Sequence, residues 1–320
     1  MRRLHEGLGG IEAASSLLAH GDLVALPTET VYGLAADATN ADAVAAVFAA
    51  KGRPAHNPLI IHVADLAGAE ALGRFDDLSR ALAHAFWPGP LTLVLDVMAD
   101  CPIVDLARPG GQTLALRVPA HPLFQAVLKH LGRPLAAPSA NPSGGLSPTS
   151  ADHVQAGLDG KIAAVLDGGP CPVGLESTVL RVKDGIAHIL RPGGLTRERI
   201  EAVAGRIGSA LPGPDAKYLS SPGQLLSHYA PRAQVRLNAT QMKPNEALLA
   251  FGPDMPQKLG PVLNLSPKAD LTEAASHLFD YLKRLDETGV GVIAVMPIPD
   301  MGLGEAINDR LKRAAADRGR

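Results

Sequence analysis

Between residues 26 and 63 the chain LPTETVYGLAADATNADAVAAVFAAKGRPAHNPLIIHV gathers hydroxyls at Thr28, Thr30 and Tyr32, a carboxylate at Glu29, cations at Lys51 and Arg53, an amide at Asn57 and an imidazole at His62. Such a mixture suits chelation of a small anionic ligand, because guanidinium and ammonium groups offset its charge while hydroxyls and amides orient it. The elements that must position these groups follow from the pattern. Residues 23–27 read as a short buried strand, 41–50 as an Ala-rich helix capped by Asn40 and ended by Gly52, and 59–63 as an apolar strand broken only by His62. Lys51, Arg53 and Asn57 then lie around a Pro-punctuated turn, so two strand ends and one helix end converge. Taken singly, Lys51 and Arg53 are ordinary complements to a helix dipole, and His62 is an ordinary core histidine. A segment that only packs has no need of so many polar groups together.

Three more places could do chemistry. Residues 113–118, TLALRV, alternate as a strand and carry Arg117 to a sheet rim just before Pro119. A buried strand at 135–138 runs into SANPSGGLSPTS, where small residues and serine hydroxyls make 139–147 a candidate phosphate cradle, the plain alternative being a flexible loop. LESTVLRV carries Ser177 into a further strand, and HILRPGG sets Arg191 at a turn. Arginines at two strand ends suit bidentate binding of carboxylate and phosphate. No P-loop, HExxH, GxSxG or kinase signature is present, so a site here works by positioning.

With 320 residues, 46% of them hydrophobic and 19% charged, the chain is long enough for two domains and a substantial core. A formal charge of -2 and 3% aromatics give no sign of extensive backbone binding to nucleic acid or of base-stacking platforms. Cys101 and Cys171 are far apart and lack CxxC companions, which favours free thiols over a disulfide or zinc site. No apolar run approaches a membrane span, and a cytoplasmic location is the default expectation.

Further helices are expected at 10–20, 66–72, 78–86, 121–131 and 150–158, with strands within 86–97 and at 163–167. Trp87 is expected to pack in the core. Residues 210–232 are rich in Pro, Gly and Ser and read as a linker. Beyond it, strands at 234–237, 247–251, 262–265 and 290–296 alternate with helices at 272–287 and 304–316, a small α/β unit of parallel strands. GLGEAIND at 302 echoes a dinucleotide fingerprint but lacks its third glycine, so no cofactor site is read there.

The strings PTETVYGL, KGRPAHNPL and PSANPSG occur in order, and together they resemble the YrdC-type L-threonylcarbamoyladenylate synthases of tRNA modification, in the long form with an appended domain. Ala35 stands where a glycine is expected after YGL. The resemblance implies an α/β fold: a YrdC-like twisted open mixed sheet with helices over 1–208, a linker or lid over 209–232, and a small Rossmann-like α/β domain over 233–320. It implies that bicarbonate and L-threonine form a carbamate that attacks the α-phosphate of ATP, releasing pyrophosphate and leaving threonylcarbamoyl-AMP. Carried over by position, Thr30, His62, Arg117 and Ser177 fall on threonine-binding positions. Arg53, Asn57, Thr113, Ala137, Ser139, Asn141, Ser147, Arg191 and Tyr229 fall on nucleotide positions, with Lys51 and Arg53 as the catalytic cations and Ala137 acting through its backbone. No protein-held metal is implied, but Mg2+ is expected with ATP. The linker's HYAP is expected to close over the nucleotide, with Tyr229 touching it. The resemblance leaves room for a transient contact with the tRNA threonylcarbamoyl-transferase machinery, without strong direct nucleic-acid binding. A non-catalytic double-stranded-RNA-binding factor of the same fold is the alternative. A carbamoyl-phosphate-using hydrogenase-maturation relative would need acylphosphatase and zinc-finger segments that this chain lacks.

Overall fold

The computed structural model describes residues 1–209 and 229–316. Its first unit opens with β1 (Arg2–Leu4), α1 (Leu8–Ala19), β2 (Val24–Leu26), β3 (Gly33–Asp37), α2 (Ala41–Lys51) and β4 (Ile60–His62). Next come α3 (Leu66–Glu70), β5 (Gly73–Arg74), α4 (Asp77–Phe86), β6 (Leu91–Val97), β7 (Thr113–Arg117), α5 (Pro122–Leu131) and β8 (Leu135–Ala136). The unit ends with α6 (Ala151–Leu158), β9 (Ala164–Leu166), β10 (Thr178–Lys183), β11 (Ile186–Arg191) and α7 (Arg197–Ala204).

The strands form an 11-stranded mixed sheet in the order β1-β9-β2-β3-β8-β4-β7-β6-β10-β11, with β5 paired to β6. It is open, with β1 and β11 at its edges. Local chemistry sets the elements around the site. Asn40 accepts from the amides of Asp42 and Ala43 at the start of α2, and Gly52 ends that helix in the left-handed region at φ 59°. β1 and β5, of three and two residues, are too short to show a period, and two longer elements also escape the sequence pattern. GLAAD forms β3 although its small residues favour neither face of a strand, and RERIEAVA forms α7. Ala35, in place of the expected glycine, is a fully buried residue of β3 paired with Val24, where the backbone is extended and needs no glycine. Trp87 is half-buried, edge-on to Phe75, and donates its Nε1–H to the Leu91 carbonyl at 2.7 Å. Cys101 and Cys171 are free thiols, and Cys171 is buried.

The second unit holds β12 (Gln234–Arg236), β13 (Glu246–Ala250), β14 (Val262–Asn264), α8 (Leu271–Glu287), β15 (Val292–Val295) and α9 (Leu303–Ala315). Its four strands are all parallel, in the order β12-β15-β13-β14. Alternate residues explain the layering. Ala247, Leu249, Ile293 and Val295 face a core shared with Leu278 and Leu282 of α8 and Ile307 and Leu311 of α9. Leu248, Ala250 and Ala294 face the other way, under Ala239 and Met242 of a connecting loop. Both helices therefore cover one face. In GLGEAIND, Gly304 serves packing, since a Cβ there would lie 1.9 Å from the Pro299 carbonyl oxygen, whereas Gly302 sits at φ 54° with open space around it.

The two units are pressed together. Val31 and Leu175 of the first join the core of the second. Gly174, at φ 72°, meets α8 so closely that a Cβ there would lie 2.5 Å from the Ala275 carbonyl oxygen. Arg197 pairs with Glu305 at 2.6 Å and His153 approaches Asp280 at 3.2 Å across the same seam. Among the described residues no helix is long and apolar enough to cross a membrane.

Candidate active site

Three loops are zipped side by side to form the floor of a pocket. The amides of Tyr32 and Leu34 donate to the Pro148 and Pro138 carbonyls, and the Ala140 amide donates to the Tyr32 carbonyl. This ties the TETVYG run to the PSAN loop. Within the run, Thr28 Oγ1 accepts from the amides of Thr30 and Val31 and lies 2.7 Å from Thr30 Oγ1, which fixes both hydroxyls. The resulting pocket encloses about 550 Å³, part of it open to solvent.

On one side, the parallel pairing of β4 and β7 sets His62 directly opposite Arg117 at the strand ends. Arg117 ends β7, at the strand end that its position before Pro119 implied. It is 3% exposed, because the TETVYG run and the segment after Trp87 close over it. Its Nη2 donates to Glu29 Oε1 at 2.6 Å and its Nε to the Gly89 carbonyl at 3.2 Å, while Glu29 Oε2 accepts from the Ala120 amide. Burial, then the Arg117 charge, push the His62 pKa well below the ordinary histidine value, so its imidazole is neutral at pH 7. Its ring packs 5.1 Å from Phe124. Ser177 Oγ lies 2.7 Å from Thr92 Oγ1, just before β10 begins.

On the other side stand two buried arginines. Arg53 follows the Gly52 cap and donates to the carbonyls of Asn57 and Pro58 at 3.2 and 2.8 Å. Arg191 ends β11 and donates from Nη2 to the Ser177 carbonyl at 2.7 Å. Desolvation lowers the pKa of Arg53 to about 10, with Arg191 adding to the fall, and burial lowers that of Arg191 as well. Both remain cations at pH 7, and an anion between them would relieve the cost of burying them. Tyr229, fully buried at φ 62°, lines the same wall and lies close enough to Arg53, Arg191 and Arg310 to interact electrostatically with each.

Nine of the expected residues line the pocket together: Thr30, Arg53, His62, Arg117, Ala137, Ser139, Ser177, Arg191 and Tyr229. Five stand outside that lining. The Lys51 ammonium donates to the Ser139 and Asn141 carbonyls, so it braces the loop from behind, and burial with the Arg53 charge pushes its pKa well down. Asn141 Nδ2 closes its own loop by donating to the Pro142 and Gly145 carbonyls. Ser147 donates its hydroxyl to Glu176. Thr113 begins β7, on the same face as Ala115 and Arg117 but at the far end of the strand. Asn57 is fully buried beside Arg53, and among the described residues neither atom of its amide has a hydrogen-bond partner.

Sequence reasoning did not single out Glu176, nor Arg310, which holds it. No signal in the string LESTVLRV distinguishes that glutamate, because its partner is supplied by the other unit. Residues 210–228, which include most of the expected lid, lie outside the described residues. Among the described residues no group of three or more His, Cys, Asp or Glu is placed to hold a metal ion. The one carboxylate lining the pocket, among the described residues, is Glu176, engaged by Arg310, and Glu29 outside that lining is engaged by Arg117. These residues do not fit a metal held by the protein.

Most of this mixed sheet lies within the segment that one family model matches. Residues 16–193, more than half of the chain, match the model Sua5_yciO_yrdC, described as telomere recombination, and the chain belongs to that family. Residues 195–316 match a second model, described as the threonylcarbamoyl-AMP synthase C-terminal domain. More particularly, the chain is 41% identical to threonylcarbamoyl-AMP synthase of Bacillus subtilis, over 96% of this chain and 93% of that protein. It is 35% identical to the synthase of Schizosaccharomyces pombe, over 97% of this chain and 89% of that protein. The crystal structure of P. abyssi Sua5 complexed with L-threonine superposes with a TM-score of 0.89 at 36% identity, covering 98% of this chain and 97% of that one.

Proposed function

We propose that this protein is an L-threonylcarbamoyladenylate synthase, a nucleotidyltransferase that joins L-threonine, bicarbonate and ATP for tRNA modification. The observation that carries the reading is one pocket with two differently prepared sides, a paired arginine beside a neutral histidine and two desolvated arginines opposite. The family relatives named as threonylcarbamoyl-AMP synthases support it, as does the P. abyssi structure complexed with L-threonine.

In this reading Arg117 holds the threonine carboxylate, with its fork aimed by Glu29. Thr30, His62 and Ser177 meet the remaining polar groups. The amine condenses with bicarbonate to a carbamate and water. A carbamate oxygen then forms a bond to the α-phosphorus of ATP as the bond to the β-phosphate breaks, and pyrophosphate leaves. Arg53 and Arg191 offset the charge that builds on the phosphates, in a site where the low dielectric strengthens their effect. Asn57, Thr113, Ser139, Asn141, Ser147, Tyr229 and the backbone of Ala137 complete the nucleotide side. Lys51 contributes by fixing the Ser139 and Asn141 carbonyls, so that the cradle keeps its shape. Magnesium arrives with ATP as part of the substrate, coordinated by phosphate oxygens and water. The product serves tRNA modification, so the reaction belongs to the cytoplasm, where a transferase collects the intermediate.

Pyrophosphate release by the pure protein tests the reading. It should require threonine and bicarbonate together, and added RNA should change it little. Equal release without threonine, or tight RNA binding with no turnover, would favour the RNA-binding alternative.

A further inference from the structure

A buried carboxylate stands in the wall of a pocket that is otherwise prepared for anions. Glu176 is 7% exposed and lines the same space as Arg53 and Arg191. Burial by itself would raise its pKa, but Arg310, Arg191 and the Ser147 hydroxyl outweigh that and hold it down to about 2. The neutralising partner comes from the appended domain. Arg310 of α9, 1% exposed, donates from Nε to Glu176 Oε2 at 2.8 Å and from Nη2 to the Pro192 carbonyl at 3.0 Å. Its Nη1 donates to its neighbour Asp309 at 2.6 Å, and its guanidinium carbon sits 5.0 Å from the centre of the Tyr229 ring. One side chain of the second unit thus touches Glu176, Tyr229 and the residue that follows Arg191.

We propose that Arg310 is a positioning residue for the nucleotide side of the pocket, so that the appended domain completes the site rather than merely flanking it. The inference rests on the ATP reading above. With Arg310 in place, Glu176 is a paired ion that accepts from Ser147. Glu29 belongs to Arg117. Arg53, which has no carboxylate partner among the described residues, then faces the phosphates. Without Arg310, a desolvated carboxylate in the pocket wall would repel the polyphosphate. Glu176 therefore makes the nucleotide side depend on the second domain, while the Arg117–Glu29 pair lies wholly within the first.

Wild-type turnover with ATP, threonine and bicarbonate is measured first. Its absence would overturn the synthase reading, and this proposal with it. Given turnover, Arg310→Met should raise the KM for ATP by at least about tenfold while the KM for threonine moves by less than about threefold. Adding Glu176→Gln to that variant should return the KM for ATP to within about threefold of wild type, because no unpaired charge remains. A purely structural role predicts a different result: both KM values rise together, and the second substitution brings no rescue. Either outcome would overturn the proposal. Should Arg310→Met fail to fold, Arg310→Lys decides, since an ammonium does not reproduce the guanidinium's fork to Glu176 and the Pro192 carbonyl. Its KM for ATP should rise by about threefold or more while that for threonine stays put, and equal rises in both would sink the idea.

Discussion

The two sides of the pocket, which the proposed reading assigns to threonine and to nucleotide, share one wall of loops but differ in electrostatic state. Arg117 already has its carboxylate, Glu29, 2.6 Å away, and His62 beside it is neutral. Arg53 donates only to backbone carbonyls, and with Arg191 it is a desolvated cation. The first side is balanced before a ligand arrives and can orient a small zwitterion without rearrangement. On the second, Arg53 is paired with no carboxylate among the described residues, so a ligand's phosphate can offset its buried charge. In the proposed reading this contrast sorts a zwitterion from a polyanion within a single cavity.

Removing the built-in partner should have the largest effect. Glu29→Ala leaves Arg117 buried without its anion and should destabilise the fold by about 3–5 kcal/mol, read from the urea midpoint. If Arg53→Ala costs as much stability, the distinction between the sides is lost. Ligand affinity comes next. Arg53→Ala should weaken ATP, and Arg117→Ala should weaken threonine, each by about 1.5–3 kcal/mol with the other ligand less affected. Calorimetry on folded variants showing the reverse pattern would exchange the two assignments.

Acid should separate the sides further. The His62 pKa is depressed, so the unfolded chain takes up a proton that the folded imidazole refuses. The stability His62 confers is present above the ordinary histidine value of 6.5 and is lost as pH falls below it. Glu176 is also depressed, from 4.5 to about 2, so its contribution persists above 4.5 and is lost only as pH falls through that lower window. Urea midpoints across pH should lose the first slope in His62→Gln and the second in Glu176→Gln. Indistinguishable profiles would remove the contrast. The smallest change expected is Tyr229→Phe, which keeps the ring over Phe279 and Arg310 and should weaken ATP by about 0.5–1.5 kcal/mol with threonine unaffected.

Much of this was legible where the cause is local. The Asn40 cap, the Gly52 stop and the strand carrying His62 are written within a few residues of one another, and the structure reproduces them. The parallel strands of the second unit were equally readable from their spacing. What stayed hidden depends on distant pairing. Glu29 meets Arg117 across 88 positions, and Glu176 meets Arg310 across 134. A carboxylate in a string says nothing of its partner. Lys51 was readable as a cation near the site, yet its bonds to the Ser139 and Asn141 carbonyls exist only because β3 pairs with β8 and draws the PSAN loop in. The strand at GLAAD was missed because alanine and glycine carry little preference for extended backbone, and neighbouring strands impose it.

The contact at Gly174 bears on interchange between members of the family. A glycine backbone lying against the Ala275 carbonyl leaves no room for even a methyl group, so α8 must present bare backbone there in matching register. The same docking has to bring an arginine onto Glu176. A catalytic unit joined by recombination to a foreign appended unit must meet both conditions at once. The two halves of this chain therefore fit as a matched set, and a chimera that keeps one requirement without the other is expected to fold in pieces rather than work as an enzyme.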